Sequence, residues 1–97
     1  MDVKIYEALA LNEDYWEVGD EAAIITTESG GRYIAQPDGS ISGGTKSVNG
    51  VRLNGSVYRP GGPIRPRLIV FGLSMELATG PGRRVLVTSP VTAIESA

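Results

Sequence analysis

The feature that most constrains this chain is the stretch Arg67–Leu77, RLIVFGLSMEL, whose odd positions Ile69, Phe71, Leu73, Met75 and Leu77 are all apolar. Its even positions begin apolar at Leu68 and Val70, then become small or polar at Gly72, Ser74 and Glu76. Alternation with period two belongs to a strand, because successive side chains leave a strand on opposite faces. The first half has two dry faces and the second has one. Gly72 sits at the change, where a missing side chain lets a strand bend or bulge. A long strand, central at one end and half exposed at the other, predicts a small barrel in which one bent strand serves two sheets.

The rest of the chain repeats the signal in shorter pieces. Residues 22–36, AAIITTESGGRYIAQ, read as a hairpin, with Glu28-Ser29-Gly30-Gly31 as the turn and Tyr33 and Ala35 sharing a face opposite Ile34. Asn54-Gly55, between Val51–Leu53 and Val57-Tyr58, reads as a second hairpin or as one irregular strand bulged at Gly55. Pro60, Pro63 and Pro66 recur every three residues, an extended connector that cannot join a central ladder. Thr79-Gly80-Pro81-Gly82 turns the chain onto Arg83–Thr88, and Pro90 ends that strand. Val91–Ile94 is then either a single 3₁₀ turn or a last short strand. Residues 3–11, VKIYEALAL, fit a strand better than a short helix, although Glu7 breaks the stripe. Residues 12–21 and 37–50 read as loops, the second turning at Pro37-Asp38-Gly39 and mobile throughout. Turns every 8–12 residues predict an all-β fold, a five- or six-stranded barrel or sandwich of SH3-like or OB-like type, with at most one short helical turn.

With 97 residues the chain makes one domain and one modest core. It has no cysteine and no histidine. Those two absences remove disulfides, thiolate metal sites and the usual near-neutral base and nucleophile–base pairs. No metal and no cofactor are expected, and no enzymatic activity. No apolar run approaches the roughly 18 residues that span a bilayer. The acidic N-terminal segment lacks the basic start of a secretory signal, so a cytoplasmic protein without membrane association is expected.

Two near-motifs fall short. Gly39–Ser47, GSISGGTKS, has Thr45 where a phosphate-binding loop needs its lysine, and no helix follows. The PxxP units of residues 60–66 place no basic residue at the offset an SH3 ligand requires.

Charge is distributed unevenly. Residues 1–30 hold eight acids and one base, whereas residues 31–97 hold eight bases and three acids. Either the two halves pair within the fold or one of them forms an interaction surface. The acidic half contains Glu13, Asp14, Tyr15, Trp16, Glu17, Asp20 and Glu21. Aromatic residues among acids suit a docking patch for a protein partner, by surface complementarity or by mimicry of acidic nucleic acid. Trp16 also suits a cap on the open end of a barrel. The acids themselves are too exposed for acid catalysis, which needs a dry pocket, and lack the spacing of a calcium loop. Arg52, Tyr58, Arg59, Arg65 and Arg67, with Arg83 and Arg84, offer the alternative of a basic strip for nucleic acid. The acidic N-terminal segment opposes that alternative. A third possibility is homo-oligomerisation through an edge strand.

The ending Thr88–Glu95, TSPVTAIE, resembles the close of many short phage-encoded proteins of unassigned function, which finish in a T-S-x-V-x-x-I pattern. The resemblance spans eight residues. It implies an accessory protein of a phage or mobile element, of the kind that inhibits a host defence complex.

Overall fold

The computed structural model describes residues 14–43, 51–79 and 84–97, with Arg84 as backbone alone. The strand expected at residues 3–11, the mobility expected at 44–50, and the turn expected at 80–82 lie outside the described residues.

Among the described residues there are nine strands and no helix. They are β1 (Tyr15–Glu17), β2 (Ala23–Thr27), β3 (Arg32–Ala35), β4 (Ser40–Gly43), β5 (Val51–Val57), β6 (Ile64–Pro66), β7 (Leu68–Val70), β8 (Ser74–Thr79) and β9 (Arg84–Ser96). The order β4-β3-β2-β9-β8-β5 is closed by a further β4–β5 pairing, giving a six-stranded antiparallel barrel. Each barrel strand neighbours the next one along the chain. β6 adds outside β5, and β1 pairs with β7 in a separate two-stranded ribbon.

The alternating side chains supply the interior. Ala23 and Ile25 of β2, Tyr33 and Ala35 of β3, Ile41 of β4, Val51 and Leu53 of β5, Met75 and Leu77 of β8, and Val91 of β9 form one buried cluster. The ribbon adds Trp16 and Ile69 to it.

The stretch Arg67–Leu77 is two strands rather than one. β7 belongs to the ribbon and β8 to the barrel, and the chain turns between them. The Leu73 N–H donates to the Val70 carbonyl at 3.0 Å, and Gly72 takes a φ of 87° that a side chain disfavours. Ile69, Leu73, Met75 and Leu77 are buried as the alternation requires, but Phe71 rides the outside of the turn, 41% exposed. A tight turn between two strands preserved the inward phase, so period two could not reveal the break.

Among the described residues, no strand serves two sheets; the one that changes partner along its length, within the single barrel sheet, is β9. Its first half, to Pro90, pairs with β8, and its second half, from Val91, pairs with β2. Pro90 therefore does not end a strand; it marks the change of partner, where an absent N–H costs least. The pairing slips on both sides of this point, between Ser74 and Glu76 and between Thr26 and Thr27. Side chains complete the interrupted ladder. The Thr88 hydroxyl accepts the buried Met75 N–H at 3.1 Å and donates to the Ser89 carbonyl at 2.8 Å. The Ser89 hydroxyl accepts the Ser29 N–H at 3.0 Å. Val91–Ile94 is strand, resolving that alternative.

Thr88→Val keeps the shape and strands the Met75 N–H in the core. A loss of about 1–3 kcal/mol is expected in urea unfolding, with Thr88→Ser restoring most of it; equal stability of the valine variant would remove Thr88 from this role.

Asn54-Gly55 is not a hairpin. β5 runs straight through, with a register shift against β8 between Leu53 and Gly55. Strands lie on both sides of it, and the Asn54 amide donates to Glu76 Oε2 at 3.2 Å instead of shaping a turn. Tyr15–Glu17 within the 12–21 loop is β1, held by β7, and Ser40–Gly43 within the 37–50 loop is β4, held between β3 and β5. The proline segment stays out of the central ladder as expected: β6 is an edge strand.

Candidate binding groove

A groove of about 400 Å³ opens beside β1. Asp14, Tyr15 and Trp16 form one wall, and Asp20 and Glu21 one end. Ala22 and Ala23 at the start of β2, with Ile94, Glu95 and Ser96 at the end of β9, form the other wall.

Each position follows from local structure. Asp14 is fixed by its carbonyl, which accepts the Phe71 N–H at 2.9 Å. Trp16 lies on the inner face of β1, 3% exposed, while Tyr15 on the outer face is 47% exposed. The Trp16 indole Nε1–H donates to the Glu21 carbonyl at 2.8 Å. This bond ties the two ends of the segment that turns from β1 into β2. Within that segment, the Glu17 N–H donates to Asp20 Oδ2 and the Asp20 N–H to the Glu17 carbonyl, both at 2.9 Å. The Gly19 N–H reaches the Pro37 carbonyl at 2.9 Å, which anchors the turn to the β3–β4 connection.

Of the residues expected to bind a partner, the fold brings Asp14, Tyr15, Trp16, Asp20 and Glu21 to one groove. Trp16 enters it from the core, as a wall rather than a projecting anchor. Glu17 is exposed but does not line the groove, and Glu13 lies outside the described residues. Glu95 escaped the sequence reading. It is an isolated acid in the basic part of the chain, and only the pairing of Ile24 with Glu95 and Ala23 with Ser96 carries it here. Among the described residues, four acidic ones line the groove and no lysine or arginine does. Among the described residues, no three acidic groups gather closely enough to hold a metal ion.

The arginine strip is dispersed. Arg65 is 5% exposed, with its Nη1 donating to the Pro63 carbonyl at 2.6 Å, so it does not belong to a solvent-facing strip. Alternation on β6, between two prolines, turned it inward. Tyr58, Arg59 and Arg67 are exposed. Arg52 is exposed too, and its Nη2 donates to the Asp38 carbonyl at 2.8 Å. Arg83 and the side chain of Arg84 lie outside the described residues.

The β3–β4 turn on which Gly19 and Arg52 converge carries a titratable lock. Asp38 Oδ1 accepts from the Ser40 hydroxyl at 2.6 Å and from the Ser40 N–H at 2.9 Å. These bonds, the side-chain one first, with a smaller contribution from the Arg52 charge, lower the Asp38 pKa below its ordinary value. A carboxyl lowered in the folded state contributes stability above its unfolded pKa, and that contribution disappears as pH falls through the folded pKa. The stability difference between the native chain and Asp38→Asn is therefore expected to be full at neutral pH and to shrink below about pH 4. Urea midpoints from pH 7 to pH 2 measure it; a difference independent of pH would separate Asp38 from the lock.

No family model, curated protein or solved structure matches the chain. The Thr88–Glu95 pattern has a physical account within the fold: Thr88 and Ser89 complete the ladder where β9 changes partner, Val91 enters the core, and Ile94 packs against it. Among the described residues, no helix is long and apolar enough to cross a membrane.

Proposed function

We propose that this barrel is a non-enzymatic protein-binding module that takes a basic partner surface into the groove beside β1. One observation carries the reading: acidic residues from separate segments, Asp14, Asp20, Glu21 and Glu95, converge on a groove that also exposes Tyr15 and, among the described residues, is lined by no basic one. Opposite charge steers encounter and fixes orientation, and a tyrosine supplies contact area at low entropic cost. Inhibition of a host complex, as the resemblance of the last strand suggests, is one form such binding takes.

The triple variant Asp14→Lys, Glu21→Lys and Glu95→Lys tests it. Capture of the partner on the immobilised domain should fall by at least roughly tenfold, with the barrel's circular dichroism unchanged. Capture by the native domain should also weaken as salt is raised, because exposed charges are screened beyond about 8–10 Å. Unaltered capture by the folded triple variant would refute the groove as the binding surface. The alternative, nucleic-acid binding through Arg52, Arg59, Arg67 and Tyr58, predicts retention of single- or double-stranded DNA in a low-salt gel shift, which the first reading does not.

A further inference from the structure

The groove is bordered by two strand edges whose main-chain groups point into it. In an antiparallel pair, alternate residues direct N–H and C=O towards the partner strand, and the residues between direct theirs to the opposite side. The Phe71 N–H donates to the Asp14 carbonyl and the Val18 N–H to the Arg67 carbonyl, both at 2.9 Å. With the register Trp16 to Ile69, these bonds assign Asp14, Trp16 and Val18 to β7. Tyr15 and Glu17 therefore direct their main-chain groups away from β7. Asp20 satisfies those of Glu17. No described residue takes up those of Tyr15. No residue of β7 lines the groove, so it lies on this open side of β1.

The opposite wall has the same character. The Ala97 N–H donates to the Ala22 carbonyl at 3.1 Å, which in the register of β2 with β9 assigns Ala93 and Glu95 to bonds with β2. Ile94 and Ser96 then face the other way. β8 pairs with β9 as far as Pro90, and the turn before β8 takes Val91, whose carbonyl accepts the Gly72 N–H at 2.8 Å and whose N–H donates to the Leu73 carbonyl at 2.9 Å; no described strand covers the edge beyond Val91. Ile94 and Ser96 both line the groove.

We propose that the groove binds an extended peptide segment by strand addition, and that the segment carries lysine or arginine at alternate positions. This rests on the reading of the groove as a protein-binding surface and names what enters it. Main-chain bonds to Tyr15, Ile94 and Ser96 hold the segment, since an open edge is a template for another strand. Side chains leave an added strand alternately inward and outward. One set meets the inward-facing lining of Trp16, Ala23 and Ile94; the other meets the outer side, where Tyr15 and Glu95 lie, with the carboxylates of Asp20 and Glu21 at one end. Charge complementarity selects the basic segment over a neutral one.

Trp16 is the only tryptophan and lines the groove, so its emission reports occupancy. The probe is an acetylated, amidated pentapeptide alternating lysine and valine, titrated into the full chain at low salt. A saturable emission change is expected, with weaker binding as salt rises and none by the glutamate–valine counterpart. N-methylation of the peptide amides that would face a wall should weaken binding roughly three- to tenfold, the worth of one or two net hydrogen bonds. Tyr15→Pro and Ser96→Pro each remove one groove-facing N–H without removing a ladder bond, a placement proline tolerates at a strand edge. Each should weaken binding by a similar factor, whereas Tyr15→Ala, which keeps the N–H, should weaken it less through the main chain. Should either proline variant fail to fold, the N-methylated peptide decides.

Equal affinity of the methylated and unmethylated peptides overturns strand addition and leaves the acidic groove standing. Equal binding of the glutamate peptide overturns the basic segment. An emission change that follows protein concentration without peptide, with a doubled mass in light scattering, makes a second copy the occupant and overturns the proposal. Absence of peptide binding, with capture of the partner still lost in the triple lysine variant, defeats the inference alone; absence of both defeats the underlying reading as well.

Discussion

Gly55→Ala is expected to lower the thermal midpoint by roughly 12–24 °C, the effect of about 3 kcal/mol in a domain of this size. A Cβ at Gly55 would collide with the Arg65 carbonyl oxygen and lie 2.8 Å from the Arg65 carbonyl carbon and 2.9 Å from the Pro66 Cα. These are backbone atoms of β6, paired with β5 through Gly55 and Pro66. They cannot swing aside as the tip of a long side chain would. The backbone of Gly55, at a φ of 155°, is also one that side chains rarely adopt. Two outcomes relieve the collision, detachment of β6 or displacement of the bulge in β5, and both disturb Ser56. The Ser56 hydroxyl donates to the Leu68 carbonyl at 2.8 Å and accepts the Val70 N–H at 3.0 Å, so strain at Gly55 passes directly into the ribbon that forms the groove. Thermal unfolding followed by circular dichroism measures the effect. A shift within about 3 °C would mean that β6 can move away at small cost and is not a fixed part of the fold.

Trp16→Ala should remove about 3–5 kcal/mol, the usual consequence of emptying a large aromatic site. A domain of this size has only about 5–15 kcal/mol in total, so a substantial unfolded population at 37 °C is expected. Trp16 is the ribbon's largest contribution to the core, and its indole N–H bond to Glu21 closes the β1–β2 segment. Trp16→Phe separates the two contributions. It keeps most of the packing and leaves the Glu21 carbonyl without its donor, which should cost about 1–2 kcal/mol. Urea unfolding of both variants measures these losses. If Trp16→Ala were as stable as the native chain while partner capture failed, Trp16 would be a docking anchor and not a structural wall.

The comparison of sequence with structure turns on what period two can and cannot encode. Alternation tells which residues face inward. Met75 and Leu77 were legible for this reason, and both are buried; Tyr33 and Ala35 read as sharing a face opposite Ile34, and theirs is the buried face. With the turn residues, it also made the all-β class and a barrel of about six strands legible. Alternation says nothing about which strand lies beside which. A turn at Gly72 that keeps the inward phase looks the same as a continuous strand, so β7 and β8 read as one. A glycine after asparagine suits a hairpin and a bulge equally, and only the presence of β6 and β8 on either side of β5 chose the bulge. Pro90 marked a real discontinuity, but a strand that loses one partner and gains another can continue through it.

The acidic groove shows the same division. Composition placed acids and aromatics near residues 12–21, because charge density is a local property. Its depth, the inward turn of Trp16 and the arrival of Glu95 depend on pairing between residues far apart in the chain. The burial of Arg65 depends on β6 lying against β5. The sequence by itself determined a strand-rich barrel and an acidic, aromatic segment, since side-chain phase and charge are written residue by residue. Only the tertiary structure decided that β9 exchanges β8 for β2 at Pro90 and that, among the described residues, no strand lies against the two edges bordering the groove, since a main-chain group's partner is set by what lies beside it, not by what precedes it.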